Sequence, residues 1–175
     1  MKKYFLEGSL VGLRPYNHSD FSQIHHWVND EETTHYMFTG QKPTTLDQVV
    51  SHYTEEFTDA SNVVFIVEEK ESSTVVGMAG LYGINASSRK AEFRILLGTG
   101  RGKGLGTDTT CVVTQYGFDR LNLHRIFLGV TGANKGAVRT YEKAGYITEG
   151  VLKDDIYRNG RYYNSIRMAC LRGER

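Results

Sequence analysis

Five glycines between residues 98 and 106 stand where the chain changes from the hydrophobic period of a strand to that of a helix. Before them, residues 90–97 alternate apolar and other side chains, which is typical of a strand. After them, residues 107–120 combine β-branched side chains, which favour a strand, with an apolar stripe at helical spacing. Because this stripe covers more than three turns, we expect a helix. A strand that passes through glycines into a helix favours an architecture in which helices pack on a sheet.

The segments before and after residues 90–120 also show the hydrophobic patterns of strands and helices. Strand patterns occur at residues 9–16, 63–67, 75–84, 126–130, 146–152 and 162–171, and helical patterns at 17–28, 44–57 and 134–144. The order β-α-α-β-β-β-α-β-α-β-β predicts an α/β (α+β) fold, a mixed sheet of about seven strands with helices on both faces. Residues 29–43 are polar and irregular. No linker divides the chain, so we expect one domain over residues 1–175. An edge strand, such as the final one, can pair with a second subunit in a homodimer.

Composition argues against several classes of function. Lys and Arg number 21 against 20 Asp and Glu, and a net charge of +1 offers no electrostatic basis for binding nucleic acid or an anionic membrane. The first eight residues lack the apolar core of a signal peptide, and no apolar run approaches the length of a membrane span. Cys111 and Cys170 match no metal-binding spacing, and the six histidines form no HExxH motif. We therefore expect no metal site, two reduced thiols and a cytoplasmic location.

The glycine-rich junction has the composition of a phosphate-binding loop. Glycines let the backbone approach a ligand, the start of a helix offers unpaired N–H groups, and Arg101 and Lys103 add positive charge. The alternative is that the glycines only make a tight turn between strand and helix. A nucleotide-binding P-loop does not fit, because Gly104 stands where that motif needs Ser or Thr. A dinucleotide fingerprint fits poorly, because the glycines at 102, 104 and 106 are evenly spaced.

Four motifs along the chain carry a resemblance to a known family. They are Ala91-Glu92-Phe93, the loop Arg101-Gly102-Lys103-Gly104-Leu105-Gly106, Leu123-His124-Arg125, and Asn134-x-x-Ala137-x-x-x-Tyr141-Glu142-Lys143-x-Gly145-Tyr146. The loop matches the Arg/Gln-x-x-Gly-x-Gly/Ala pyrophosphate loop of the GNAT superfamily of acetyl-CoA-dependent N-acetyltransferases. The chain is most similar to the branch that contains the ribosomal-protein-alanine and spermidine acetyltransferases. This resemblance spans nearly the whole chain and implies the GNAT fold, acetyl-CoA as co-substrate, and direct transfer of the acetyl group to a primary amine in a ternary complex.

The resemblance also implies which residues hold acetyl-CoA. The loop and the start of the following helix contact the pyrophosphate in this family, and backbone groups of the preceding strand contact the pantetheine arm, where one N–H can polarise the thioester carbonyl. Asn134 is expected to bond the pantetheine, to cap its helix, or to do both. For Lys143, a phosphate contact stands beside the ordinary attraction of a cation to a helix C-terminus. The expected set is Ile95, Leu96, Leu97, Arg101, Gly102, Lys103, Gly104, Leu105, Gly106, Thr107, Asn134 and Lys143.

Tyr141 and Glu92 are the two catalytic candidates. The resemblance implies that Tyr141, seven residues after Asn134 and nearly two helical turns away, protonates the departing thiolate. The alternative is a core tyrosine on the apolar stripe of its helix. An alkylamine is mostly protonated at neutral pH and must lose a proton before it can attack. Glu92 is a candidate for the base that removes this proton, directly or through water. The alternative for Glu92 is a solvated or ion-paired strand carboxylate.

The acceptor is expected to be a primary amine, either a small molecule or a peptide, and the sequence leaves open a protein N-terminus, a polyamine and an amino sugar. In the family, the region around the first helix covers the acceptor. Here that region contains histidines, Trp27, Tyr36 and the acidic run Asp30-Glu31-Glu32. The run can attract a cationic amine, or it can be an ordinary solvated loop. The alternative function is a non-catalytic module that binds acyl-CoA, and the presence of Tyr141 and Asn134 argues against it.

Overall fold

The structure, a computed structural model, describes residues 4–174. Its strands are β1 (Leu6–Glu7), β2 (Val11–Arg14), β3 (Val63–Glu69), β4 (Thr74–Asn85), β5 (Lys90–Leu97), β6 (Arg125–Thr131), β7 (Ile147–Arg158) and β8 (Arg161–Leu171). Its helices are α1 (Asp20–Asn29), α2 (Glu31–Thr34), α3 (Leu46–Thr58), α4 (Leu105–Asp119) and α5 (Lys135–Lys143). The predicted elements are all present. Two short elements are additional: strand β1, and helix α2 within the segment that was predicted to be irregular.

The eight strands form one mixed sheet in the order β1-β2-β3-β4-β5-β6-β8-β7. Strands β1 to β5 are antiparallel to their neighbours, β5 and β6 are parallel, and β6, β8 and β7 are antiparallel. The final strand β8 therefore lies between β6 and β7, and the prediction that it is an edge strand is wrong. The tight turn at Asn159 and Gly160, both with positive φ, folds β8 inward against β6 and leaves β7 at the edge.

Helices cover both faces of the sheet, as the sequence predicted. On one face α4 and α5 contribute Leu105, Val113, Phe118 and Tyr141 to a hydrophobic core with the strands, and Ala144, which follows α5, belongs to the same core. On the other face α1 and α3 contribute Phe21, Ile24, Trp27, Val28, Val49 and Tyr53 to a second core. Helix α3 begins with a capping box between Thr45 and Gln48, so its start is fixed by local sequence.

The sheet splits between its two parallel strands. Strands β5 and β6 are paired only from Lys90–Arg125 to Glu92–Phe127. Further along, β5 remains paired with β4, and β6 remains paired with β8. The two parallel strands therefore separate towards their carboxyl ends, and β5 runs from this split directly into residues 98–106, which we call the glycine loop. The fold thus brings a gap in the sheet, the glycine loop and the start of α4 together.

Candidate active site

A cavity of about 870 Å³ lies at the split between β5 and β6. Ten of the predicted site residues line it: Ile95, Leu97, Arg101, Gly102, Gly104, Gly106, Thr107, Asn134, Tyr141 and Lys143. Its lining also includes Glu31, Glu32, Thr33, His35, Tyr36 and Met37, which we call the α2 wall. The cavity therefore joins residues from three separate parts of the sequence, 31–37, 95–107 and 134–143, into one candidate site.

The glycine loop turns through three left-handed positions, with φ of +74° at Gly100, +82° at Gly102 and +84° at Gly104. Side chains rarely adopt this conformation, so the turn itself requires glycine. A Cβ atom added at Gly102 would meet no atom within 4 Å, which shows that packing does not exclude a side chain there. All three glycines line the cavity. The loop is thus both a tight turn and a backbone surface open to a ligand.

Helix α4 begins with amide groups that lack a helical partner. The backbone N–H of Asp108 donates the first hydrogen bond of the helix, to the carbonyl of Gly104 at 3.1 Å. The N–H groups of Leu105, Gly106 and Thr107 therefore have no partner within the helix. The carboxylate of Asp108 accepts three backbone N–H groups of the β1–β2 turn at 2.7 to 3.2 Å. Unpaired amides at the positive end of a helix form a site suited to phosphate.

The basic residues near the glycine loop have different partners. Arg101 lines the cavity, and its Nη1 lies 3.4 Å from Oε1 of Glu32 in the α2 wall. Lys143, at the end of α5, also lines the cavity. Lys103 is not a lining residue, and its Nζ lies 3.0 Å from Oε1 of Glu69. Hydrogen bonds from Ser72 and Lys103 hold the pKa of Glu69 below its usual value.

Helix α5 places Asn134 and Tyr141 along the same cavity. The Asn134 Oδ1 accepts the N–H of Ala137 at 3.1 Å, which confirms the predicted helix cap. The ring of Tyr141 packs against Phe93 and Tyr146. Its hydroxyl has no hydrogen-bond partner among residues 4–174, and burial raises its pKa to about 12. Tyr141 is thus a protonated hydroxyl at neutral pH that lines the cavity and is free to donate.

The other predicted site residues lie outside the cavity lining. Glu92 is half-buried on β5, and its carboxylate accepts from the guanidinium of Arg94 at 2.7 and 3.0 Å. The side chain of Leu96 is buried in the core beneath α1 and α3. The side chain of Leu105 is buried in the opposite core. For the two leucines only backbone groups are available to a ligand.

The α2 wall contains two of the three acidic residues of the run at 30–32. Asp30 instead caps α2 by accepting the N–H of Thr33 at 2.7 Å. Glu31 and Glu32 are exposed and line the cavity. The expectation that Trp27 lines the acceptor side is wrong, because this side chain is buried in the core. A Cβ atom at Gly98 would lie 2.0 Å from Nε1 of Trp27, so the indole packs directly beneath the start of the glycine loop.

Sequence reasoning did not single out Met37 and Thr140, which also line the cavity. Thr140 lies on the same face of α5 as Asn134 and Ala137, at intervals of three residues, and this helical spacing was the signal that could have found it. Met37 follows α2 in a segment without a regular pattern, so no local signal marks it. Both residues add apolar surface to the cavity.

Among residues 4–174, no helix is both long and apolar enough to cross a membrane. Within the same residues, no group of three His, Cys, Asp or Glu side chains is arranged to hold a metal ion.

Comparisons with known proteins agree on one family. The sequence model of the acetyltransferase (GNAT) domain matches residues 11–147. The spermidine N(1)-acetyltransferase of Escherichia coli K12 is 33% identical over 160 residues, which cover 90% of this chain and 84% of the relative. The spermidine N(1)-acetyltransferase of Vibrio cholerae is 32% identical over 168 residues, or 95% of each chain. A crystal structure of the Vibrio cholerae spermidine N-acetyltransferase with CoA and spermine superposes with a TM-score of 0.85 at 31% identity, covering 95% of this chain and 98% of that one.

Proposed function

The chain belongs to the GNAT acetyltransferase family, and on that premise we propose that its cavity binds acetyl-CoA beside a polyamine and transfers the acetyl group directly between them. The family membership establishes an acetyl-CoA-dependent N-acetyltransferase that acts on a primary amine. The choice of polyamine and the role of each residue are the proposal. The observation that carries it is a single cavity lined both by the glycine loop and by the carboxylates of Glu31 and Glu32.

The loop side of the cavity fits the pyrophosphate of CoA. Unpaired amide groups at the start of α4 and the open backbone of the glycine loop offer donors to phosphate oxygens. Arg101 adds a guanidinium that can bind two of these oxygens at once, and Lys143 adds a second positive charge. The pantetheine arm fits the split beyond Glu92, where β5 has no strand partner on its β6 side. Backbone groups near Ile95 and Leu97 are then available to it.

Tyr141 supports the chemical step by donating a proton. The amine nitrogen forms a bond to the thioester carbonyl carbon, and the carbon–sulfur bond then breaks. The sulfur leaves with the electron pair and takes the proton of the Tyr141 hydroxyl, while the nitrogen loses a proton to solvent or a base. Tyr141 then regains a proton from solvent. Because burial raises the pKa of Tyr141 to about 12, its hydroxyl still carries this proton at neutral pH. Free CoA and an N-acetylated amine are the products.

The base that accepts the proton of the amine remains a prediction. Glu92 is paired with Arg94 and does not line the cavity, so its proposed role requires intervening water. Glu31 and Glu32 line the cavity but lie on the α2 wall, where they are suited to attract the ammonium groups of an acceptor. An acceptor that arrives with its reacting nitrogen neutral needs no protein base.

The α2 wall supports a polyamine over a neutral or monocationic amine. A polyamine carries positive groups at both ends, so one nitrogen can react while another stays near a carboxylate. Glu31 and Glu32 provide two such carboxylates at the cavity. The relatives from Escherichia coli and Vibrio cholerae carry the name of enzymes that acetylate spermidine, and their similarity covers most of this chain.

A panel of amines with acetyl-CoA tests this proposal. The panel contains spermidine, spermine, a monoamine of similar length, an amino sugar and a peptide with a free N-terminus, and mass spectrometry identifies the acetylated product. We expect the polyamines to have the highest kcat/KM. Faster acetylation of the amino sugar or the peptide would overturn the polyamine assignment. Binding of CoA without thiol release for any amine would favour the non-catalytic alternative.

We also propose a cytoplasmic location and a homodimer. The two cysteines in the described part of the chain, Cys111 and Cys170, are both free thiols, which suits a reducing compartment.

Strand β7 is an exposed edge strand whose Ile147, Val151 and Tyr157 are largely solvent-accessible. An exposed apolar edge strand favours pairing with a second copy. Light scattering coupled to size-exclusion chromatography tests this assembly, and a monomer at micromolar concentration would overturn it.

A further inference from the structure

Arg158, at the end of β7, is a buried cation without an acidic partner. Arg158 is only 5% exposed, and no carboxylate among residues 4–174 forms an ion pair with it. Instead, Nη1 donates to the carbonyl of Thr39 at 2.7 Å. Nη2 donates to Oγ1 of Thr34 at 3.2 Å and to the carbonyl of Gly40 at 3.4 Å. Burial of a charge is costly unless hydrogen bonds satisfy it, so these three oxygens are what retain Arg158 in this position.

The three oxygens belong to the segment that carries the α2 wall. This segment contacts the β7–β8 hairpin at two further points. Asn159 Nδ2 donates to Oε1 of Glu31 at 3.1 Å, and Gln41 Nε2 donates to the carbonyl of Tyr157 at 3.4 Å. The hairpin is distant from the segment in the sequence, and Arg158 makes the deepest of these contacts. The position of the α2 wall relative to the cavity therefore depends on a residue that does not line the cavity.

We propose that Arg158 is a positioning residue for acceptor recognition, because it fixes the α2 wall, and with it Glu31 and Glu32, over the cavity. This inference rests on the proposed function, in which those carboxylates recognise the amine. Arginine suits the role because its planar fork directs several donors at once, whereas lysine offers a compact point charge. The hydrogen bonds of Arg158 do not reach the glycine loop. The Arg101–Glu32 pair that joins this loop to the α2 wall is exposed and contributes little, so we expect CoA affinity to depend little on Arg158.

A comparison of amine binding with CoA binding in Arg158 variants distinguishes a positioning role from a general contribution to protein stability. In Arg158→Gln the neutral amide is too short to reach all three oxygens, and the α2 wall loses its fixed position. We expect the KM for spermidine to rise about tenfold, as for the loss of hydrogen bonds to a charged group. The dissociation constant for CoA should stay within about twofold. Arg158→Lys keeps the charge and part of the bonding, so it should recover part of the lost affinity for the amine.

The experiment compares steady-state KM values for spermidine with CoA affinity from calorimetry in wild type, Arg158→Gln and Arg158→Lys. Arg161→Gln is the matched control, because it removes an exposed arginine from the same hairpin. Asn159→Gly is an additional, milder variant, which weakens a separate contact between the hairpin and the α2 wall. Asn159 has a φ of +48°, which glycine adopts without strain, so this variant removes only the contact with Glu31.

A rise in the spermidine KM alone, with partial recovery in Arg158→Lys and no change in Arg161→Gln, supports the inference. An unchanged spermidine KM in folded Arg158→Gln overturns it, as does an equal loss for spermidine and CoA. If Arg158→Gln does not fold, Arg158→Lys decides: a spermidine KM above that of wild type with unchanged CoA affinity supports the inference, and a wild-type KM overturns it. A wild-type chain that acetylates no amine overturns the proposed function itself, and this inference with it.

Discussion

The guanidinium of Arg101 lies 3.4 Å from the carboxylate of Glu32, so an ion pair joins the glycine loop to the α2 wall across the cavity. Both side chains are exposed, and such pairs contribute little to stability in water. Arg101 is also the residue proposed to bind the pyrophosphate. If acetyl-CoA takes up the guanidinium, the Glu32 carboxylate becomes available to a cationic amine. Substitution of Arg101 should therefore affect the binding of CoA, whereas substitution of Glu32 should affect the binding of the amine.

Arg101→Gln should weaken the binding of CoA about tenfold, because a charged donor to phosphate is lost. Glu32→Gln should not weaken CoA binding, since it only releases Arg101 from its partner, but it should raise the KM for spermidine. Calorimetric titration of CoA and steady-state kinetics with spermidine measure the two effects. Equal loss of CoA affinity in both variants would contradict the account.

Lys103→Gln is the matched control for Arg101→Gln. Both residues belong to the glycine loop, but Lys103 is paired with Glu69 and does not line the cavity. We expect the affinity for CoA to change by less than about twofold in this variant. A loss as large as that of Arg101→Gln would mean that Lys103 leaves Glu69 to bind the cofactor.

Tyr141→Phe should lower kcat by about a hundredfold or more, because it removes the proposed general acid. Its stability should be nearly unchanged, since the Tyr141 hydroxyl has no hydrogen-bond partner among residues 4–174. Tyr146→Phe gives the opposite pattern. The Tyr146 hydroxyl lies 2.8 Å from Oγ1 of Thr114, so this variant should lose about 1 kcal/mol of stability and keep its turnover. Thermal unfolding and kcat with spermidine distinguish the two, and a fully active Tyr141→Phe would exclude Tyr141 from the mechanism.

Asp108→Ala should lower the free energy of unfolding by about 2 kcal/mol, because the β1–β2 turn loses the acceptor of three backbone N–H groups. Asp119→Ala is the control at the other end of α4. Its carboxylate accepts from the side chain of Gln115 and lies near the negative end of the helix, so its removal should be neutral or slightly stabilising. Urea unfolding measures both. Equal effects would show that the turn is not held by Asp108.

Stability should fall above about pH 10, the pKa of tyrosine in an unfolded chain. Burial raises the pKa of Tyr53 and Tyr141 to about 12, and that of Tyr82 further still. Above about pH 10 the unfolded chain therefore loses protons that the folded chain retains, and the free energy of unfolding decreases as the pH rises. Urea unfolding at about pH 9 and about pH 11 measures this slope. Tyr53→Phe should flatten it, and an identical slope in that variant would contradict the assignment.

The local sequence predicted the elements that form the proposed cofactor side of the site. The glycine loop, the helix after it and the cap at Asn134 all depend on residues close together in the chain, and all are present in the structure. The seven-residue spacing from Asn134 to Tyr141 lies on one helix, so its geometry follows from the helical period. The change of period at the glycines was therefore enough to locate this half of the site.

The acceptor side depends on long-range contacts that no local pattern contains, such as those of Arg158 with Thr34 and Thr39. Elsewhere in the site, the partner of Lys103 lies on β3, and spacing alone could not choose that pairing over a ligand role. Glu92 pairs with Arg94 two residues away, and the sequence left this ion pair open beside the role of a base. The burial of Trp27 follows from its contact with Gly98. The position of β8 inside the sheet follows from the packing of the whole C-terminal hairpin against β6.

The most direct test of the central claim is the ratio of kcat/KM for spermidine to kcat/KM for a monoamine, measured in wild type and in the double variant Glu31→Gln/Glu32→Gln. If the α2 wall recognises the second positive charge of the acceptor, wild type should prefer spermidine and the double variant should lose about tenfold of that preference, with the KM for acetyl-CoA unchanged. An unchanged ratio in a folded, active double variant would show that the two carboxylates do not select the substrate and would contradict the account.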